Sequence, residues 1–272
     1  MRRADPLPCP QLAVPVEVVE MMYTLALASN KPKDLAVADL AIIAFYYLLR
    51  VGEYTKPKFV TLNGEKRPAT RTVQFRLCDV GLFQNDSIIN FWLHKTKNSL
   101  KKLLQNTGAV LKITNQKNGR MGQTIYHEAI ENTDRGPTQA IARRVHHIVS
   151  NGGTPDSLIC QYKKDPSQKD WNYVTSQDMI TGVRTAVKAC GLDKKGINPN
   201  LVASHSLRAG GAMALKLAGV SDTIIMKHGR WSGLTFVMYI HNQIAHISKG
   251  LSTKMKTRLP FVNIGNISLP SS

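Results

Sequence analysis

Residues 35–49 constrain the fold most, because they are apolar almost without interruption between Asp34 and Arg50. A helix apolar on nearly every face has to be enclosed by other elements, so this one is the expected central helix of a packed domain, with Asp34 as its cap. The longest unbroken apolar run, 40–49, is too short for a bilayer span, which takes about 20 residues. The N-terminus carries Arg2 and Arg3 and no apolar core, so it does not read as a secretory signal. A chain of 272 residues with 43% hydrophobic content has ample material for a core. The expectation is a soluble intracellular protein. Four cysteines lie far apart with no C-x-x-C, which excludes a zinc ribbon and argues against a disulfide scaffold.

Around the central helix the pattern alternates in kind. Residues 1–15, with four prolines, read as an irregular arm, and helical spacing resumes over 16–28. After Arg50 comes a β region. Val73, Phe75 and Leu77 alternate with Thr72, Gln74 and Arg76; 84–87 is a turn; 88–94 is a second strand. Residues 95–98 read as a hairpin tip, with further strands near 101–104 and 110–113. Helices are expected again over 137–150 (stopped by Asn151, Gly152 and Gly153), 176–189, 206–217, a short one after Ser221, and a last one over 234–247. The fold class is therefore mainly α with a small antiparallel β-sheet, an α+β domain over 16–258, with a loose tail over 259–272.

Lys and Arg number 36 against 18 Asp and Glu, a formal charge of +18. Such a field draws in polyanions, nucleic acid first. The cations cluster. Lys95, Lys97, Lys101, Lys102, Lys112, Lys117 and Arg120 occur in a stretch with no acid, and so do Lys249, Lys254, Lys256 and Arg258. Lys95, Lys101, Lys102, Arg230, Lys249 and Lys254 are the expected DNA contacts.

The most specific string lies in the C-terminal third: Ser204-His205-Ser206-Leu207-Arg208-Ala209-Gly210-Gly211, then Gly229-Arg230-Trp231-Ser232, then Tyr239. His205 and Arg208 are three apart at a helix start and share one face, a setting suited to a phosphate. A tyrosine among cations can serve as an oxygen nucleophile, since positive charge stabilises phenolate and attacked phosphate alike. Competing chemistries are missing: there is no P-loop, no G-x-S-x-G elbow and no acidic cluster for a two-metal nuclease. His146 and His147 are adjacent on a helix, about 100° apart, and cannot easily grip one metal.

Taken in order, Arg50, Lys97, His205, Arg208, Trp231 and Tyr239 resemble the fingerprint of the tyrosine recombinase (phage integrase) family over most of the chain. The Ser-His-Ser-Leu-Arg and Gly-Arg-Trp-Ser strings look most like the mobile-element recombinases of Cryptons and DIRS-type retrotransposons. The resemblance implies that family's catalytic-domain fold and a transesterification on duplex DNA. Tyr239 would attack the scissile phosphate to give a 3′-phosphotyrosine. Arg50 and Arg208 would hold the non-bridging oxygens, and Lys97, or Lys95 in its place, would protonate the leaving 5′-hydroxyl. His205 would take the tyrosyl proton, and Trp231 would hydrogen-bond or buttress the pocket. The ester keeps the bond energy, so no cofactor, metal or ATP is implied. The implied partners are double-stranded DNA and further copies of the chain, a tetramer in the synaptic complex. The implied place of action is the nucleus in a eukaryote, otherwise the cell interior, with no membrane.

The chain also departs from the family pattern. Only about 15 residues precede the match, where the family carries a helical core-binding domain. His228, eleven residues before Tyr239, reads as a bystander. Glu53 reads equally as a carboxylate orienting the arginines and as a cap or surface ion pair. Two other functions fit the same residues: a topoisomerase IB-like DNA relaxing activity and a domesticated, non-catalytic DNA-binding module.

Overall fold

In the computed structural model, which describes residues 12–62, 64–68, 72–114 and 122–233, two helices come first: α1 (Val16–Ser29) and α2 (Pro32–Tyr46). Asn30, at φ 51°, ends α1 in the left-handed conformation, and Pro32 starts α2 where no N–H is needed. Residues 36–45 of α2 are all buried, so it is the central helix its composition demands. It stops at Tyr46, short of its apolar run, because Leu48 turns left-handed at φ 47°. Tyr47, Leu48 and Leu49 enter the core as a turn. Asp34 sits in the first turn and does not cap; the N-cap position belongs to Lys31.

Arg50 is the N-cap of a single-turn helix, α3 (Val51–Tyr54). Next come a hairpin of β1 (Phe59–Leu62) and β2 (Glu65–Pro68), then β3 (Val80–Gln84), β4 (Ser87–Ile88), α4 (Lys97–Leu104), β5 (Gly108–Ile113) and β6 (Gln123–Glu128). Four of these form an antiparallel sheet in the order β4-β3-β5-β6, with Val80 opposite Leu111 and Leu111 opposite Ile125. The chain then continues through α5 (Pro137–Ser150), the two-residue strands β7 (Gln161–Tyr162) and β8 (Asn172–Tyr173), α6 (Ser176–Ala189), α7 (His205–Leu217) and α8 (Asp222–Gly229). The molecule is mainly α with a small antiparallel sheet. Among the described residues no helix is long and apolar enough to cross a membrane, and Cys78, Cys160 and Cys190 are free thiols.

Several sequence expectations are corrected. Residues 97–104 are a helix, and 95–98 are its lead-in and first two residues, not a hairpin tip. Leu100, Leu103 and Leu104 recur at helical spacing, Leu103 is fully buried, and Lys101 and Lys102 face solvent in the last turn, where cations favour the helix dipole. Residues 72–75 are extended but belong to no sheet. Phe75 donates its N–H to Glu53 O and accepts from Ile159; Phe75 and Leu77 are buried there, while Val73 is exposed. The expected strand over 88–94 is cut short by a 3-10 turn, Phe91–Leu93, because Leu93 and His94 bond back to Asn90 and Phe91. The β1–β2 hairpin and β6 were not anticipated. Residues 12–15 are irregular, as expected, but held: Leu12 and Val14 donate their N–H groups to Leu201 O and Ser206 O. The expected helix over 234–247, Tyr239, Lys249, Lys254, the tail and residues 1–11 lie outside the described residues.

Candidate active site

Two glycines in the middle of α7 bring it against other backbone, Gly210 against the segment before α1 and Gly211 against the end of α2. A Cβ on Gly210 would lie 2.0 Å from Val14 O, and one on Gly211 would lie 2.1 Å from Phe45 O. Only glycine lets these backbones come this close, and the Gly211 approach carries Arg208, just N-terminal of it, to the turn that follows α2. Arg208 is buried, and its guanidinium donates to Leu48 O and Gly229 O. Its Cζ lies 4.3 Å from the centroid of the Trp231 ring. A desolvated cation on an indole face is worth about 2 kcal/mol, so Trp231 serves as a buttress for Arg208.

Arg50 joins the same cluster through Glu53. The Arg50 N–H donates to Glu53 Oε2 at 2.7 Å, and its guanidinium reaches Oε1 at 3.5 Å. Glu53 is 3% exposed, so it is no surface ion pair; it caps α3 and binds arginines at once. Its stronger partner is Arg230, whose Nη1 and Nη2 donate to the two carboxylate oxygens at 3.0 and 2.9 Å. Arg230 Nη2 also donates to Leu48 O at 3.1 Å. The Leu48 carbonyl thus accepts from both Arg208 and Arg230. Both Leu48 and Arg230 hold positive φ, 47° and 60°, a conformation that costs a non-glycine residue roughly 1 kcal/mol or more.

His205 is the first residue of α7 and is exposed. Desolvation of its ring, then the charges of Arg208 and Arg50, hold its pKa below the usual imidazole range. That shift favours the neutral ring, the form that can take a proton. Trp231, Arg208 and Arg50 are linked through Leu48 O, Arg230 and Glu53, and His205 lies within electrostatic reach of both Arg50 and Arg208.

Neither a protein-family profile nor a curated protein sequence matches the chain. Among solved structures, it is similar to the crystal structure of XerA recombinase at 14% sequence identity and a TM-score of 0.48, over 94% of this chain and 68% of that one.

The remaining candidate residues fall elsewhere. Arg230 is a correction: its side chain is 0% exposed and taken up by Glu53, so it is an internal partner and not a DNA contact. Lys97 opens α4, and Thr96 O accepts from His146 Nε2 at 2.8 Å, which ties this segment to α5. Lys95 lines a cleft beside α5 that shares no lining residue with the arginine cluster. Lys101 and Lys102 are exposed on α4. His228 has a structural place outside that catalytic slot. Its Nε2 and that of His127 both donate to Tyr46 O, at 2.8 and 2.9 Å, with ring centroids 5.0 Å apart. The pair pins α8 and β6 to the end of α2, beside the turn that carries Leu48 and Arg50. A carbonyl only accepts, so both rings carry the proton on Nε2.

Proposed function

We propose that the protein cleaves and rejoins DNA strands through a covalent phosphotyrosine, as tyrosine recombinases do. The observation that carries the reading is the convergence of Arg50, Arg208 and His205, with Trp231 behind Arg208, from positions up to about 180 residues apart. Two guanidinium groups fixed by carbonyl and carboxylate partners are preorganised for a phosphate that gains charge in the transition state. Tyr239 Oη attacks phosphorus and its proton passes to His205. The bond to the 5′-oxygen breaks, and a lysine, Lys97 or Lys95, protonates that oxygen. The energy stays in the ester, and a second 5′-hydroxyl reverses the step. On the Gly-Arg-Trp-Ser string we place the chain nearest the Crypton and DIRS-type mobile-element recombinases, acting as a tetramer on paired duplexes, in the nucleus of a eukaryotic host.

A nicked suicide duplex tests this. The wild-type chain should form a denaturation-resistant adduct, and Tyr239→Phe should lose it while binding DNA undiminished. Lys97→Ala should lose cleavage but recover much of it on a 5′-bridging phosphorothiolate, whose sulfur leaves without a proton. Rescue of Lys95→Ala in its place would assign the acid to Lys95. No adduct from the wild-type chain on its own element ends would leave only a DNA-binding module.

A further inference from the structure

At the other end of α2, a cleft of about 480 Å³ opens between the start of that helix, α4, the second half of α5 and the loop at 163–166. Its volume falls in the range of sites for small organic ligands, about 300–1,000 Å³. Leu35, Leu100 and Pro166 give it apolar walls, and Lys95, Lys163 and Lys164 stand among them. Lys163 Nζ lies 5.1 Å over the Trp171 ring. Two arginines of α5 also line it. Arg143 is matched by buried Asp39, with Nε to Oδ1 at 2.7 Å, and Asp39 is the one carboxylate in the lining. Arg144, fully buried, donates to Ile159 O and Gln161 O, so its hydrogen bonds leave its charge unneutralised. Five cations therefore face one acid. The negative end of α5 is damped as well, because His147 O accepts from Asn151 Nδ2 and Ser150 Oγ. His147 Nε2 accepts from the Lys163 N–H. Burial, then Arg144 and His146, push its pKa to about 3, as expected beside an uncompensated positive field.

We propose that this cleft binds a nucleoside phosphate, with the phosphate on Lys95, Lys163 and Lys164 and the sugar and base against Leu35, Leu100 and Pro166. Cations without walls would suit any polyanion; cations around an apolar floor suit an anion with an apolar body. The ligand is either a free nucleotide or one nucleotide of a DNA strand. The site is separate from the arginine cluster, since neither Arg50 nor Arg208 lines it, and Lys95 is the one residue it shares with the proposed cleavage chemistry.

The probe is trinitrophenyl-ATP titrated into the full-length chain. Binding should saturate and be displaced by ATP. Lys163→Glu/Lys164→Glu should weaken it about tenfold or more, through loss and reversal of charge. Leu100→Ser should weaken it several-fold, and Lys188→Glu/Lys194→Glu, on the exposed end of α6 and the loop beyond, should leave it unchanged. Thermal melts confirm that each variant is folded. Displacement of the probe by a 20-base oligonucleotide identifies the source as DNA, and retention of the probe on the DNA-bound protein identifies a free nucleotide. Non-saturable binding overturns the proposal. So does equal weakening by the cleft and control reversals, and so does indifference to Leu100→Ser. With a free nucleotide as the source, adduct formation on the suicide duplex should persist in Lys163→Glu/Lys164→Glu.

Discussion

Arg230 occupies a left-handed backbone position that glycine would fill without strain, and its guanidinium accounts for its presence there. It closes both oxygens of Glu53, which in turn holds the Arg50 backbone and guanidinium. Arg230→Ala would leave a carboxylate buried beside a weaker partner at 3.5 Å, so it should cost about 3–5 kcal/mol in urea unfolding. Arg230→Ala with Glu53→Gln should recover a good part of that loss, because the stranded charge is gone. Strictly additive losses would mean that the two side chains do not act as a pair. This distinction was hidden in the sequence. Arg50, His205, Arg208 and Trp231 stand in recognisable strings, so their grouping was legible. Whether the arginine of Gly-Arg-Trp-Ser meets a phosphate or a carboxylate depends on a residue 177 positions away. Glu53 left its two readings open for the same reason, since its spacing from Arg50 suits a cap whether or not another arginine arrives from α8.

Elements were legible where one periodicity dominated. The buried run of α2 and the capped helices α5 and α6 fall within a few residues of expectation, whereas the short β region does not. Lysines at 95 and 97 look like a hairpin tip until Leu100, Leu103 and Leu104 are read at helical spacing. The Asn63-Gly64 pair between two extended runs is a two-residue turn signal that marks the β1–β2 hairpin, with Leu62 opposite Glu65. Two predictions belong at this scale. Gly211→Ala should destabilise by several kcal/mol and separate α7 from α2, since its Cβ would meet backbone at 2.1 Å and not a movable side chain. It should lower the melting temperature and displace Arg208 together. The second concerns the His127–His228 pair. Burial, then the charge of His228, lowers the pKa of His127 to about 4, and burial also lowers that of His228. A histidine held neutral in the fold gives its full stabilisation above its unfolded pKa of about 6.5 and loses it as pH falls through the folded value. Stability should therefore decline from about pH 6.5 towards pH 4. His127→Gln, which can still donate to Tyr46 O but does not titrate, should flatten that decline in melts recorded across pH. An unchanged acid limb would assign the loss to other groups.

At the scale of the molecule, the charge of +18 overstates what faces a partner. Arg143, Arg144 and Arg230 are engaged internally, on Asp39, on backbone carbonyls or on Glu53. Their charge reaches the surface only as a field. If the partner is DNA, phosphate contacts outside the candidate active site must come from exposed cations, of which Lys101 and Lys102 on α4 are an adjacent pair at a helix end. Each cation that neutralises a phosphate releases close to one counterion, so affinity for duplex DNA should fall by orders of magnitude between roughly 50 and 200 mM salt. Lys101→Glu/Lys102→Glu should reduce the slope of log K against log salt by about 2 if both lysines touch phosphates. Arg230→Lys, which keeps the charge at a buried position, should leave that slope unchanged in any molecules that remain folded. Fluorescence anisotropy with a labelled duplex at four or five salt concentrations separates these cases. A flat salt dependence would remove DNA as the partner. A normal slope, unmoved by the α4 reversal, would shift the DNA-facing surface away from α4, and with it the candidate general acid that opens that helix.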